Sequence, residues 1–367
     1  MSVTSGAARR SLEERHAQPT LERGDARRRS LLREPLLACG DGEARTVGDV
    51  DEETQRDEVR RCRQGHPVTL AWPGTPWRRR TVGAYDRRMT TAPLLPLNDG
   101  TTLPAIALGT YRLNGPDGVA AMTSAIRQGY RLLDTAFSYE NEGAVGRAVR
   151  DSGVPRDELV LTSKVPGRHQ EYEATVRTVH EGLYRAGLDR WDLYLIHWPN
   201  PGRGLYVECF QALVDLQKDG LIRTVGVSNF LPEHLEAVAE ATGVMPAVNQ
   251  IELHPYFPQA DALEAHARLG VVTEAWSPIG RANACLNEAP VQAAAAAHGV
   301  TPVQVVLRWH TQRGVVPLPR SSNPGRQHEN LDVFGFTLSD DEVAAITALG
   351  RPDGRLKGQD PAVYEEM

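Results

Sequence analysis

The hydrophobic positions of this chain form short runs of strand length, and a longer amphipathic stretch follows each run. Eight such runs succeed one another along the second part of the sequence. They are AIALGTY (105–111), RLLD (131–134), LVLTSK (159–164), DLYLIHW (192–198), IRTVGVS (222–228), AVNQIE (247–252), VVTEAW (271–276) and VVPLP (315–319). Short runs that are apolar nearly throughout are typical of strands in a parallel sheet that is covered on both faces.

The stretches between these runs have the period of helices. Segment 232–243 begins with Pro-Glu and stops at Gly, which is the usual punctuation of a helix. Segment 172–187 predicts a second helix, with four side chains on one face: Val176, Val179, Leu183 and Tyr184. Eight alternating units predict an α/β fold, a closed (β/α)8 TIM barrel, and residues 89–367 are of the right length to form it.

The preceding residues, 1–88, have a different composition, with 18 Arg, no Lys and 14 Asp and Glu. Pro and Gly interrupt this segment and no helical or strand period is sustained, so it is interpreted as a low-complexity basic extension that is disordered on its own. Three hypotheses remain open: a basic arm that binds nucleic acid or acidic lipid, a targeting segment, or a start site assigned too far upstream. Met89 opens a stretch that resembles a natural beginning, which favours the last hypothesis.

The overall charge and cysteine content narrow the class of protein. A net charge of −6 does not suggest a nucleic-acid or membrane surface, and no apolar run is long enough to span a bilayer. The four cysteines form no CxxC pair and are expected to be reduced thiols: Cys39, Cys62, Cys209 and Cys285. These features favour a cytoplasmic globular protein with a small-molecule partner and no nucleic-acid or membrane partner.

Unusual polar residues lie at or near the carboxyl ends of the predicted strands, which is where a barrel of this kind places its active site. They are Asp134, Lys164, His197, Ser228, Asn229, Gln250, Trp276, Ser277, Arg320 and Ser321. A random distribution would scatter such residues along the strands, so the pattern predicts a site at this end of the barrel.

Four of the polar residues in this region can form a proton-transfer group. A phenol has a pKa of about 10, and a nearby ammonium lowers it, so Lys164 is expected to tune Tyr139 as a proton donor. Buried Lys164 would need Asp134 as its counter-charge, and His197 can hydrogen-bond the oxygen of a carbonyl group. The alternative is a structural Asp134–Lys164 ion pair in the core, with Tyr139 and His197 at the rim.

Other well-known motifs are missing. No GxGxxG follows a strand, no phosphate loop or HExxH zinc motif occurs, and GVSNF (226–230) lacks the second Gly of a hydrolase nucleophile elbow. Segment 317–334 is more informative, since Arg320 and Arg326 flank a Ser-Ser-Asn stretch at a predicted helix start. Such a group predicts a phosphate site, and the alternative is a capped helix with two solvated arginines.

Eight motifs in register carry a resemblance to a known family. They are GTYRL, RLLDTAFSYENE, LTSK, DLYLIHWP, GVSNF, NQIELHP, EAWSPIG and PRSSNPGRQHENLDVF. Together they resemble the aldo-keto reductase superfamily, from about residue 93 to the end of the chain. The short loops and the GRLKGQDP stretch are similar to the small prokaryotic branch that includes 2,5-diketo-D-gluconate reductases.

The resemblance implies a (β/α)8 barrel that binds NADP(H) without a Rossmann fold, and no metal. It implies a catalytic tetrad of Asp134, Tyr139, Lys164 and His197, with Tyr139 as the general acid. The cofactor contacts that it implies are Thr110, Asp134, Ser228, Asn229, Gln250, Trp276, Ser277, Ile279, Arg320, Ser321, Arg326, Glu329 and Asn330. Substrate contacts are expected at Tyr111, His197 and Trp198, with Trp276 beside them.

Three positions depart from the family pattern. Arg320 stands where Lys is usual, and it keeps the charge that would favour NADP over NAD. Trp276 replaces a Tyr and keeps a stacking surface. Pro166, in the sequence KVPG, removes a tryptophan that usually faces the substrate, so the substrate preference of relatives does not transfer directly.

These features lead to two functional hypotheses. The first is a monomeric, NADPH-dependent oxidoreductase that reduces aldehydes or ketones to alcohols. The second is an NADPH-binding regulatory subunit with little turnover and a stable protein partner. Brisk NADPH oxidation with a reactive aldehyde would exclude the second.

Overall fold

The protein is described by a computed structural model that covers residues 92–280 and 284–366. Of the preceding segment it describes three short strands, Leu36–Ala38, Arg45–Thr46 and Thr69–Ala71, which form an antiparallel sheet with the first strand in the centre. The other expectations for residues 1–88, and for Cys39 and Cys62, concern residues outside the described part. The chain divides into two units, Met1–Val82 and Gly83–Met367.

Within the described residues of the second unit, eight parallel strands form one sheet whose neighbours are consecutive in sequence. They are β1 (Leu108–Gly109), β2 (Leu132–Asp134), β3 (Val160–Val165), β4 (Trp191–Ile196), β5 (Ile222–Ser228), β6 (Val248–Glu252), β7 (Val272–Trp276) and β8 (Val315–Pro317). The first and last strands also meet, since the amides of Ala107 and Gly109 donate to the carbonyls of Pro317 and Pro319. These bonds close the sheet, and the predicted (β/α)8 barrel is confirmed.

Helices alternate with the strands and cover the outside of the barrel. They are α1 (Gly115–Gln128), α2 (Glu142–Ser152), α3 (Tyr172–Ala186), α4 (Tyr206–Lys218), α5 (Pro232–Thr242), α6 (Ala260–Leu269), α7 (Ala289–His298), α8 (Pro302–Gln312), α9 (Pro324–Leu331) and α10 (Asp340–Thr347). An antiparallel hairpin of Leu94–Pro96 and Thr102–Pro104 precedes the first barrel strand. No described helix is long and apolar enough to cross a bilayer.

The core is built from the strands and the inward faces of these helices. Every residue of β4 is buried, as the near-continuous apolar run predicts. In α3, Val179 and Leu183 are buried as predicted, whereas Tyr184 is 86% exposed, so its predicted place on the apolar face was wrong. The reason is geometric: each helical residue turns by about 100°, so Tyr184 points away from the stripe that Val179 and Leu183 occupy.

Two of the four cysteines lie in the described region. Cys209 and Cys285 are both buried free thiols. Burial raises the pKa of Cys209 to about 12, so this thiol stays protonated and unreactive at neutral pH. Both cysteines therefore act as small apolar side chains in the packing of the barrel.

Candidate active site

An ion pair between two neighbouring strands lies at the centre of the barrel mouth. Lys164 Nζ donates to Asp134 Oδ1 at 2.5 Å and to the carbonyl oxygen of Thr135 at 2.8 Å. Asp134 and Lys164 come together because β2 and β3 pair in parallel, with Asp134 opposite Thr162. The side chains of Asp134 and Lys164 meet inside the barrel. Lys164 is fully shielded from solvent, so its charge depends on these two partners.

A third strand contributes to the same carboxylate. The amide nitrogen of Gln250 on β6 donates to Asp134 Oδ1 at 2.8 Å and to Glu274 Oε2 at 2.7 Å. Both hydrogens of the side-chain amide are therefore used, and only the side-chain oxygen of Gln250, Oε1, remains for the cofactor contact predicted from the sequence. The structure thus makes Gln250 a bridge between two buried acids.

Glu274 on β7 was missed by the sequence reasoning. It is fully buried, and burial together with the charge of Asp134 raises its pKa to about 8. At neutral pH the side chain is therefore mostly protonated, which makes it compatible with a second carboxylate nearby. A Glu in the middle of the otherwise apolar run VVTEAW was the available sequence signal.

Tyr139 lies above the ion pair, in a short helical turn, Phe137–Tyr139, that follows β2. The turn ends because Glu140 adopts a left-handed conformation with φ 55°. Lys164 Nζ lies 5.3 Å from the centre of the Tyr139 ring, and the rings of Tyr111 and His197 lie 5.1 Å and 6.0 Å from it, centre to centre. The structure thus brings the four predicted catalytic residues together at one end of the barrel.

The acidity of Tyr139 differs from the expectation. Burial, followed by the negative charges of Asp134 and Glu366, raises the pKa of Tyr139 well above its ordinary value, whereas the sequence reasoning expected Lys164 to lower it. That expectation was wrong. Asp134, at 2.5 Å from the Lys164 ammonium, offsets part of its positive charge, so the cation does not outweigh burial of the phenol.

His197 faces Tyr139 from the end of β4 and has a partner that the sequence did not reveal. Glu366 Oε1 lies 2.7 Å from His197 Nδ1. The neighbouring Trp198, a predicted substrate contact, is only 6% exposed because the ring of Tyr364 packs 4.4 Å from it, centre to centre. The final described residues therefore cover one side of the barrel mouth, which no local sequence pattern signals.

The ends of β5 and β7 form a further part of the barrel mouth. Trp276 Nε1 donates to Asn229 Oδ1 at 2.7 Å, and the Asn229 amide donates to the carbonyl oxygen of His197 at 2.9 Å. Ser228 donates to the carbonyl oxygen of Gln250 at 2.7 Å. Asn229 and Ser277 have φ values of 62° and 51°, so the backbone turns sharply immediately after each strand.

The predicted phosphate segment lies at the start of α9. The Asn323 side chain accepts a hydrogen bond from the Arg326 amide and caps the helix, while the guanidinium groups of Arg320 and Arg326 belong to exposed residues. Arg320 Nε donates to the carbonyl oxygen of Tyr111 at 3.2 Å, which holds this guanidinium beside the barrel mouth. A helix N-terminus and two exposed guanidinium groups form a donor set suited to a phosphate.

The remaining predicted cofactor residues are largely engaged within the protein. Thr110 is buried and donates to the carbonyl oxygen of Asp134, and Ser321 is buried with its hydroxyl bonded to Asn323. Glu329 accepts from the Thr301 hydroxyl at 2.7 Å. The others are the buried Asn330 and the half-buried Ser277 and Ile279.

Residues 105–351 match the model of the aldo/keto reductase family. The chain belongs to this family. The reductase is 52% identical to 2,5-diketo-D-gluconic acid reductase B of Corynebacterium over 279 residues, which span 76% of this chain and 100% of the relative. The sequence-based recognition, the fold class and the assignment as an NADP-dependent oxidoreductase are thereby confirmed.

Solved structures give the same result. A Gox0644 variant in complex with NADPH aligns with a TM-score of 0.71 at 42% identity, covering 74% of the reductase and 98% of that chain. An aldo-keto reductase of Bombyx mori in complex with NADP aligns with a TM-score of 0.69 at 32% identity, covering 76% and 99%. The barrel of the reductase is therefore shared with proteins that bind this cofactor.

Proposed function

We propose that this aldo/keto reductase reduces aldehydes or ketones to alcohols with NADPH, and that Tyr139 is the general acid. The observation that supports this proposal is the convergence of Tyr139, His197 and the buried Lys164–Asp134 pair at one end of the barrel. An ion pair with a purely structural role would not need a phenol and an imidazole aimed over it. We further propose that the protein is a cytoplasmic monomer that acts on a small carbonyl substrate.

NADPH fits the donor set that the structure offers. Arg320 and Arg326 at the start of α9 would hold the 2′-phosphate, and the flat face of half-buried Trp276 would lie against the nicotinamide ring. Ser228, Asn229 and the free Gln250 oxygen would hold its carboxamide. When bound, the cofactor supplies the hydride, while the chain supplies orientation and charge.

Tyr139 would donate its proton to the carbonyl oxygen as negative charge develops there. The raised pKa of Tyr139 keeps the phenol protonated at neutral pH, which is the state that a reduction requires. Once the proton has left, the Lys164 ammonium, 5.3 Å from the ring centre, stabilises the phenolate. His197 would donate a hydrogen bond to the same oxygen.

The walls of the mouth indicate the size of the substrate. Tyr111 is 46% exposed and available for contact, whereas Trp198 lies under Tyr364. Because the final described residues cover one side of the barrel mouth, the site is suited to small carbonyl compounds more than to bulky ones.

A panel of aldehydes, ketones, ketoses and diketo acids, assayed with NADPH and with NADH, tests the proposal. Faster oxidation of NADPH than of NADH with at least one carbonyl supports it and argues against a regulatory subunit. Tight NADPH binding with no turnover on any member of the panel would contradict it.

A further inference from the structure

The last described residues form a docked segment, Tyr364–Glu366, whose final carboxylate reaches the active site. Glu366 Oε1 lies 2.7 Å from His197 Nδ1, and Glu366 Oε2 accepts from the amide of Gly167 at 2.8 Å. The His197 nitrogen is buried and has no hydrogen-bond partner besides this charge contact among the described residues. The carboxylate therefore has a defined place beside the imidazole.

The main chain of the same segment is fixed independently of this contact. The Asn200 amide donates to the Glu366 carbonyl oxygen at 2.8 Å and its oxygen accepts from the Glu366 amide at 3.0 Å. Glu365 Oε1 accepts from the Gly202 amide at 2.6 Å. Because these bonds hold the backbone, Glu366 is presented to His197 at little further cost in conformational freedom.

The loop after β3 leaves room for the docked segment only because residue 167 is Gly. A Cβ at Gly167 would clash with the Glu366 carbonyl oxygen and with the Asn200 amide. Gly167 belongs to the KVPG sequence and follows Pro166, the position at which a tryptophan of the family is missing. The lack of a side chain at the residue after Pro166 thus makes space for Glu366.

The charges around this pair favour an ionised carboxylate. Burial by itself raises the pKa of Glu366, but His197, the Gly167 amide and the charge of Arg168 outweigh burial and lower it overall. Within the described part of the chain, Tyr139 from the loop after β2 also faces His197, with the Lys164–Asp134 pair behind it. His197 therefore has an anion on one side and a phenol on the other.

This arrangement limits the protonation states in which His197 can assist the reaction. A carboxylate beside Nδ1 requires a hydrogen on Nδ1, and a neutral imidazole carries only one N–H. With that hydrogen directed at Glu366, a neutral ring could only accept at its other nitrogen. Only the doubly protonated ring can also donate to a carbonyl oxygen.

We propose that Glu366 is a positioning residue that holds His197 as the imidazolium, with one N–H on Glu366 and the other on the carbonyl oxygen of the substrate. This inference rests on the proposed carbonyl reduction. It adds a residue far along the chain to the machinery of that reaction, and it assigns the positive charge beside the substrate oxygen to His197.

The test replaces Glu366 by Gln, which keeps the size of the side chain and removes its charge. Two quantities are measured in the full-length protein at pH 7: the 15N shifts of the His197 ring, which report whether both ring nitrogens carry hydrogen, and kcat/KM for aldehyde reduction. In the wild type both nitrogens should carry hydrogen, and in Glu366→Gln one should lose it, because the anion 2.7 Å from Nδ1 is gone. kcat/KM should fall by about 10-fold or more, since the charged donor beside the substrate oxygen is lost.

Glu365→Gln is the matched control. It removes the same charge from the neighbouring residue, whose carboxylate contacts Gly202 and not His197. It should leave the ring shifts and kcat/KM unchanged. Gly167→Ala displaces the docked segment by a different route and should reproduce both changes of Glu366→Gln, with the melting temperature showing that the barrel stays folded.

Unchanged His197 ring shifts and unchanged kcat/KM in a folded Glu366→Gln variant would overturn the inference. Its failure is distinguishable from failure of the proposed function. If no carbonyl is reduced by the wild type, the proposed function fails, but the 15N shifts of the ring still report whether Glu366 controls the charge of His197.

Discussion

Lys164 Nζ and Asp134 Oδ1 lie 2.5 Å apart at the centre of the barrel, with Lys164 fully shielded from water. Desolvating two charges is costly, and the pair is tolerated because each member also has further hydrogen bonds. The same pair places a positive charge under Tyr139. Stability and the proposed chemistry therefore depend on one contact.

Replacing Lys164 by Met should affect both properties. The variant leaves the Asp134 carboxylate buried without its counter-charge, so the free energy of unfolding should fall by about 3–5 kcal/mol. Denaturant unfolding measures this change, and kcat/KM should drop by about 100-fold or more because the phenolate loses its stabilising cation. The matched control is Lys218→Met, which removes an exposed lysine 2.9 Å from Asp215 and should cost less than about 1 kcal/mol. A small loss of stability for Lys164→Met would contradict the interpretation of the pair.

Glu274 makes the stability depend on pH. Its pKa of about 8 in the folded protein lies above the ordinary value of 4.5, so the folded state holds this proton more tightly than the unfolded state does. The resulting stabilisation is fully present below about pH 4.5 and is lost as the pH rises through about 8. Glu274→Gln removes this titration. As the pH rises from about 4.5 to about 8, the stability of the variant relative to the wild type should therefore increase by about 1.4 kcal/mol for each pH unit.

Chemical denaturation of the wild type and Glu274→Gln at pH 4, 6, 8 and 9 measures the difference. Glu236→Gln is the control, because this carboxylate is exposed and only 3.4 Å from Arg268 at the surface. A difference between wild type and Glu274→Gln that does not change with pH would contradict a protonated acid at this position.

Arg320 should determine the preference for NADPH over NADH. Arg320→Met removes an exposed guanidinium from the start of α9, so the Kd for NADPH should rise by about 10-fold or more while the Kd for NADH changes little. Quenching of protein fluorescence measures both constants. Arg223→Met, at the beginning of β5 and thus at the far end of the barrel, should change neither. Equal loss of affinity for both cofactors in Arg320→Met would argue against a contact with the 2′-phosphate.

Much of the fold could be predicted because parallel barrels repeat one local pattern. Each apolar run is a strand, and residues at the strand ends meet at one face whatever the loops do, which is how Asp134 and Lys164 were anticipated. Glu366 could not be anticipated, since its contact with His197 depends on how a distant segment folds back. The prediction that Tyr184 is buried was wrong for a different reason. This residue lies at the edge of a helical stripe, where spacing alone does not decide burial.

The acidity of Tyr139 shows a second limit of sequence reasoning. The strand pattern predicted that the Lys164 ammonium lies near the phenol. It did not predict how this cation affects the pKa of Tyr139, because that effect depends on how much of the charge Asp134 offsets. Net charge in a buried cluster follows from distances between several groups, here including Glu274 and Glu366, that a strand pattern does not supply.

The most direct measurement of the central claim is the turnover of Tyr139→Phe with a reactive aldehyde and NADPH. The variant keeps the ring that packs against Tyr111 and His197 and removes the hydroxyl group that carries the proton, so kcat/KM should fall by about 100-fold to 10,000-fold while the Kd for NADPH stays within about twofold. Tyr111→Phe, which removes a neighbouring phenol, should retain most of the turnover. Wild-type turnover in Tyr139→Phe, with NADPH binding intact, would contradict the role of Tyr139 as the proton donor.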